Sequence, residues 1–145
     1  MFAAGFDVKT PTGFFKAKKV PLSPTGEHRI LNSSGSQIAR IEAESFLSRI
    51  YNIIITGGGF YQFRCSADSN RKWTCEGEGD LFSVSEHANG KFDLTRDTQK
   101  IAECSKSRFF SDYEIRIHSD NDLKLAMCVF IALSLVEHQS ADMPD

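Results

Sequence analysis

The sequence is poor in the features that announce chemistry. Its 145 residues include four cysteines, Cys65, Cys75, Cys104 and Cys128, with no C-x-x-C and no Cys/His pair at ligand spacing. That excludes the common zinc and dithiol motifs, and reduced, buried thiols are expected. No G-x-S-x-G or H-E-x-x-H occurs, and His28, His87, His118 and His138 are scattered, so neither a nucleophile elbow nor a zincin site is present and no enzyme is expected. Neither sign of charge dominates: 17 Lys and Arg face 19 Asp and Glu, leaving a net charge of −2. There is no global field to hold a polyanion, and no nucleic-acid partner is expected. The segment Met1–Asp7 has neither the basic start nor the apolar run of a secretory signal, which predicts an intracellular, cytoplasmic protein.

What the sequence does contain is a rhythm. Turn signals recur about every ten residues: Pro11–Gly13, Pro21–Gly26, Asn32–Ser36, Gly57–Gly59, Ser66–Asn70, Gly77–Asp80 and Asn89–Gly90. Between them lie ten β-like runs: Phe14–Val20, His28–Leu31, Gln37–Ala43, Arg49–Thr56, Phe60–Cys65, Lys72–Cys75, Leu81–Glu86, Lys91–Thr95, Lys100–Cys104 and Tyr113–His118. Twelve phenylalanines are spread through the chain, as strands prefer. Regular short strands of this kind predict one domain over residues 1–145, an antiparallel meander forming a sandwich or barrel. Asn89-Gly90, flanked by Phe82/Val84 and Phe92/Leu94, is the strongest hairpin signal, because a type I′ turn needs positive φ at both central residues. In Tyr113–His118 the alternation is clear, with Tyr113, Ile115 and Ile117 assigned to one face. Ser45–Arg49 reads equally as a helical turn or as the start of a strand.

The period changes after Ser119-Asp120-Asn121-Asp122, whose Ser119 and Asp122 have capping-box spacing. The run Leu123–Val136 contains only two polar residues, Lys124 and Ser134. As a helix it offers no face to water and must be surrounded. A membrane span needs about 20 apolar residues, and this run stops near 14. The expected surroundings are therefore a protein interior, and a barrel of about a dozen strands is wide enough to hold a helix.

A meander of short strands, then Asp112–Ile117, an acidic turn at Ser119–Asp122 and an apolar helix at Leu123–Val136, resembles the tubby C-terminal-like superfamily, which includes LURP-one-related proteins and phospholipid scramblases. The likeness extends to the hairpin Ile30–Arg40 and the late strand Lys100–Glu103, and lies in pattern more than in invariant motifs. The resemblance implies a closed antiparallel barrel of twelve strands threaded by its C-terminal helix. It also implies a non-enzymatic module that binds an anionic lipid headgroup or membrane surface, with no cofactor. The calcium-loop pattern of the scramblases is missing, and the headgroup-binding residues of tubby domains find no specific counterparts. A structural or regulatory protein-interaction domain is the alternative.

The candidate ligand-binding residues are Lys16, Lys18, Arg71 and Lys72. Lys16 and Lys18 share a strand face that would suit an anionic headgroup, with Lys19 on the other face; lysines guarding an edge strand would give the same pattern. Arg71-Lys72-Trp73 sets two cations beside the only tryptophan, an arrangement for a membrane interface or for a turn with a core Trp. Cys65 and Cys75 lie symmetrically about Asn70, where a hairpin could bring them face to face, free or bridged. Gly57–Gly59 reads as a hairpin turn rather than a phosphate cradle, and Glu76–Asp80 as a solvated loop rather than a calcium site.

Overall fold

The computed structural model describes residues 5–10, 13–45, 49–65, 72–87, 91–106, 113–117 and 122–142. The chain is mainly β, with antiparallel strands in one sheet and one C-terminal helix. Eleven strands appear among the described residues: β1 (Gly5–Thr10), β2 (Gly13–Lys19), β3 (His28–Leu31), β4 (Gln37–Ala43), β5 (Tyr51–Ile55), β6 (Phe60–Cys65), β7 (Lys72–Gly77), β8 (Asp80–Glu86), β9 (Lys91–Arg96), β10 (Gln99–Lys106) and β11 (Tyr113–Ile117). Each pairs antiparallel with the next in the chain, from β1 to β11. One pairing departs from the expected all-antiparallel pattern: β1 lies parallel to β11, with Val8 opposite Tyr113 and Lys9 opposite Glu114.

All ten expected strands are present, and the eleventh, β1, is the one the turn rhythm did not mark. Phe6, Val8 and Thr10 alternate there, but Gly5 and Asp7 weaken the β signal. The turns follow their residues. Asn32 Oδ1 accepts hydrogen bonds from the amides of Ser34 and Ser36, and Gly35 supplies a φ of 85°. Glu78-Gly79 closes β7 onto β8 with both residues at positive φ, the type I′ requirement. Asn89-Gly90 falls outside the described residues, although β8 and β9 pair across it as expected. Of Ser45–Arg49, which reads as helical turn or strand start, residues 46–48 are also outside them, as is Ser119 of the capping pattern.

The helix, α1, runs Leu123–Asp142, six residues beyond the apolar run, because Glu137–Asp142 contains neither Gly nor Pro to stop it. Its ten consecutive residues Leu125–Ser134 are all buried, while Lys124 is exposed. Ten residues make nearly three turns, so every side of this helix is covered. Among the described residues no helix is long and apolar enough to cross a membrane.

The helix lies nearest β4 and β5. On β6 to β9 the inward positions carry Phe63, Trp73, Phe82 and Phe92. Two edge-to-face pairs hold that side, Tyr61–Phe82 at 6.2 Å and Trp73–Phe92 at 6.1 Å between ring centres. At the start of the helix, Arg96 donates to Asp122 Oδ1 at 3.3 Å while its guanidinium lies 5.8 Å from the Phe82 ring centre. The acidic Asp122 is well placed beside the positive end of the helix dipole.

Phe130, 2% exposed, is the most direct probe of this packing. Phe130→Ala is expected to lower the unfolding free energy by roughly 3–5 kcal/mol, and Phe130→Asp to prevent folding. Lys124→Ala, at an exposed position, should change it by less than about 0.5 kcal/mol. Urea unfolding followed by circular dichroism measures all three; a folded, cooperative Phe130→Asp protein would contradict burial of the helix.

Candidate functional site

Strand β2 alternates strictly. Ala17 is fully buried and Phe15 packs against the core, so Phe14, Lys16 and Lys18 point outward. Lys19, on the inward parity as expected, is exposed where the strand ends. The register extends the outward cations across the sheet: Lys18 stands opposite Arg29 on β3, and Arg29 opposite Arg40 on β4. Like charges directly opposite are unfavourable. Glu27 relieves part of that, its carboxylate lying 3.2 Å from Arg29 Nε and 3.5 Å from an Arg40 terminal nitrogen. Lys16 faces Leu31 across the same pair of strands.

Apolar side chains bracket the cations. Phe14 is 63% exposed at one end of β2, and beyond the other end Leu22 is fully exposed. Leu22 also has a φ of 62°, an uncommon conformation for a leucine. Its loop is nevertheless well tied, with Val20 N bonded to Glu27 O, Ser23 N to Val20 O and Ala43 N to Thr25 O. An exposed leucine at φ near +60° on a hydrogen-bonded loop is held outward by the loop itself.

The remaining candidates fall elsewhere. Lys72 is on β7, separated from β2 by β3, β4, β5 and β6, so it cannot share one headgroup with Lys16 and Lys18. Arg71 lies outside the described residues. Trp73 is 4% exposed and packed on Phe92, which removes it from any interface and fits the core alternative. The expectation that Cys65 and Cys75 face each other is corrected by the register. Cys65 lies opposite Trp73, and Cys75 opposite Phe63, one step of the same face away. Cys75, Cys104 and Cys128 are buried, and burial pushes the Cys75 thiol up to about 12.

Gly57, Gly58 and Gly59, all at positive φ, form the turn between β5 and β6, as read. Glu76–Asp80 forms the β7–β8 hairpin rather than a loop. Among the described residues no group of three or more His, Cys, Asp or Glu could hold a metal. On the outer face of β9 to β11 a depression of about 120 Å³ is lined by Lys91, Glu103, Cys104, Ser105 and Arg116. Beside it Lys100 bridges Asp93 and Glu103, and Asp93 also meets His87, so charges of both signs balance one another there.

The sequence reading missed Phe14, Leu22, Arg29 and Arg40 as parts of this surface. Arg29 and Arg40 lie one to a strand, and only the register aligns them with Lys18. The prolines Pro21 and Pro24 mark the loop that carries Leu22, but nothing in the sequence says that its tip points outward. No family model, curated protein or solved structure matches the chain.

His28, at the loop's return into β3, is 8% exposed, with Nδ1 2.9 Å from the carbonyl oxygen of Gly26. Burial pushes its pKa below the ordinary 6.5, the Gly26 bond opposes this, and Lys19 adds to the lowering. Protons therefore bind the unfolded chain more readily than the folded one, and stability is full above pH 6.5 and falls as the pH drops below it. The urea midpoint should be lower at pH 5 than at pH 7.5, and His28→Gln should reduce that difference. Equal pH dependence in the two proteins would rule out this role for His28.

Proposed function

We propose that the chain is a non-enzymatic, cytoplasmic module of the tubby C-terminal-like type, which docks on an anionic membrane surface through the outer face of β2, β3 and β4. The strand order supports the kinship, with strands adjacent in the chain lying adjacent in the sheet and the C-terminal helix buried against it. On this reading the β1–β11 pairing closes the sheet into a barrel round α1. The observation that carries the function is the strip along β2: outward Lys16 and Lys18, continued by Arg29 and Arg40, between exposed Phe14 and Leu22.

This combination suits the boundary of a bilayer. A cation held near an anionic leaflet contributes on the order of 1 kcal/mol, and the attraction falls off within a Debye length. Lysine and arginine keep their heads among phosphates while their stems lie along apolar surface. Phe14 and Leu22 add apolar area that can enter the acyl boundary. Four cations tempered by Glu27 give weak, reversible, salt-sensitive binding, whereas edge protection alone would need neither the exposed phenylalanine nor the exposed leucine.

Sedimentation with vesicles tests the proposal. Binding is expected with phosphatidylserine or phosphoinositide present, and not with phosphatidylcholine alone. Lys16→Ser/Lys18→Ser should abolish it and Phe14→Ser/Leu22→Ser should weaken it several-fold, while Lys72→Ser leaves it unchanged. Indifference to lipid charge, or full binding by the double lysine variant, would defeat the reading.

A further inference from the structure

A second surface, on strands separated from β2 by β3, β4 and β5, carries the opposite charge. On β6 and β8 the inward positions are taken by Phe63, Phe82 and Val84, which leaves Phe60 and Leu81 on the outer face, 48% and 54% exposed. They flank β7: Leu81 pairs with Glu76, and the Phe60 amide donates to Glu78 Oε1 at 2.9 Å. Two inter-strand spacings put them on the order of 10 Å apart. Glu76 and Glu78, both exposed, lie beside them, with Glu76 3.5 Å from Arg64.

The two apolar side chains stand on a rigid platform. A Cβ at Gly77 would meet the Phe60 carbonyl oxygen at 2.1 Å and Tyr61 Cδ1 at 2.8 Å, so β6 and β7 approach as closely as glycine alone allows. Glu78 holds φ at 52°, and its carboxylate fixes the Phe60 amide from the tip of the neighbouring hairpin.

We propose that this face of β6, β7 and β8 docks a cationic, amphipathic segment of a partner protein, its apolar residues on Phe60 and Leu81 and its lysines or arginines on Glu76 and Glu78. Charge complementarity selects this occupant, because an anionic leaflet would be repelled by the same carboxylates. The two apolar anchors set it apart from a merely solvated acidic turn, and the bonded backbone beneath them keeps the ordering cost of docking low. The inference does not depend on the lipid reading. If both hold, the chain recruits a basic partner to an anionic membrane from its opposite flank.

The test uses the full chain, a synthetic peptide alternating lysine and leucine, and a peptide of equal charge with serine for leucine. Amide chemical-shift changes caused by the first peptide should cluster at residues 60 and 76–81. Leu81→Lys should weaken its binding at least tenfold, Phe60→Ser should weaken it several-fold, and the serine peptide should bind at least tenfold less tightly. Circular dichroism checks that both variants fold. Shifts that cluster elsewhere, binding that ignores Leu81→Lys, or self-association of the chain through this face in sedimentation velocity would overturn the proposal. Vesicle binding that persists in Leu81→Lys would show that such a failure leaves the lipid reading untouched.

Discussion

A helix with almost no polar side chain over fourteen residues has to be covered on all sides, and this requirement organises the rest of the molecule. Leu125–Ser134 is buried through every turn, and no single sheet face or neighbouring helix could achieve that. The sheet follows the chain strand by strand, and β1 lies parallel to β11. Buried side chains from β4 to β9, among them Ala39, Ala43, Phe63, Trp73, Phe82 and Phe92, form one core with the helix. The bulge at Ile101, which buries both Ile101 and Ala102 against the same interior, belongs to this fitting.

With one face buried against α1, the sheet offers its other face to other molecules, and that face is not uniform. The β2–β4 flank joins cations to exposed apolar residues, the β6–β8 flank joins carboxylates to exposed apolar residues, and the β9–β11 flank pairs its charges internally. A net charge of −2 conceals this division. The proposed membrane contact and the proposed partner contact each take one sign, and their separation around the sheet would let both be used together.

Much of the fold was legible because the signals were local. Asn32, Gly35, Glu78 and Gly79 act within their own turns, and the change from period two to a continuous apolar run at Leu123 needs no tertiary information. What depended on register was not legible. The offset of Cys65 from Cys75, the alignment of Lys18 with Arg29 and Arg40, and the distance from Lys16 to Lys72 are set by how strands pair. The parallel β1–β11 contact joins the two ends of the sheet, about a hundred residues apart in the chain, where no turn chemistry announces it. Trp73 shows a related limit: beside two cations it reads as an interface residue or as a core residue, and only the strand's alternation turns it inward onto Phe92.

The measurement that bears most directly on the buried helix is the reactivity of Cys128, fully buried within its apolar run, with its thiol pKa pushed far up by burial. Native protein exposed to a water-soluble alkylating reagent, with the Cys128 peptide followed by mass spectrometry across a urea series, gives its opening free energy. The account predicts that Cys128 labels only as the whole domain unfolds, with the free energy and denaturant dependence of global unfolding. Rapid labelling in the absence of denaturant, with the circular dichroism unchanged, would contradict it.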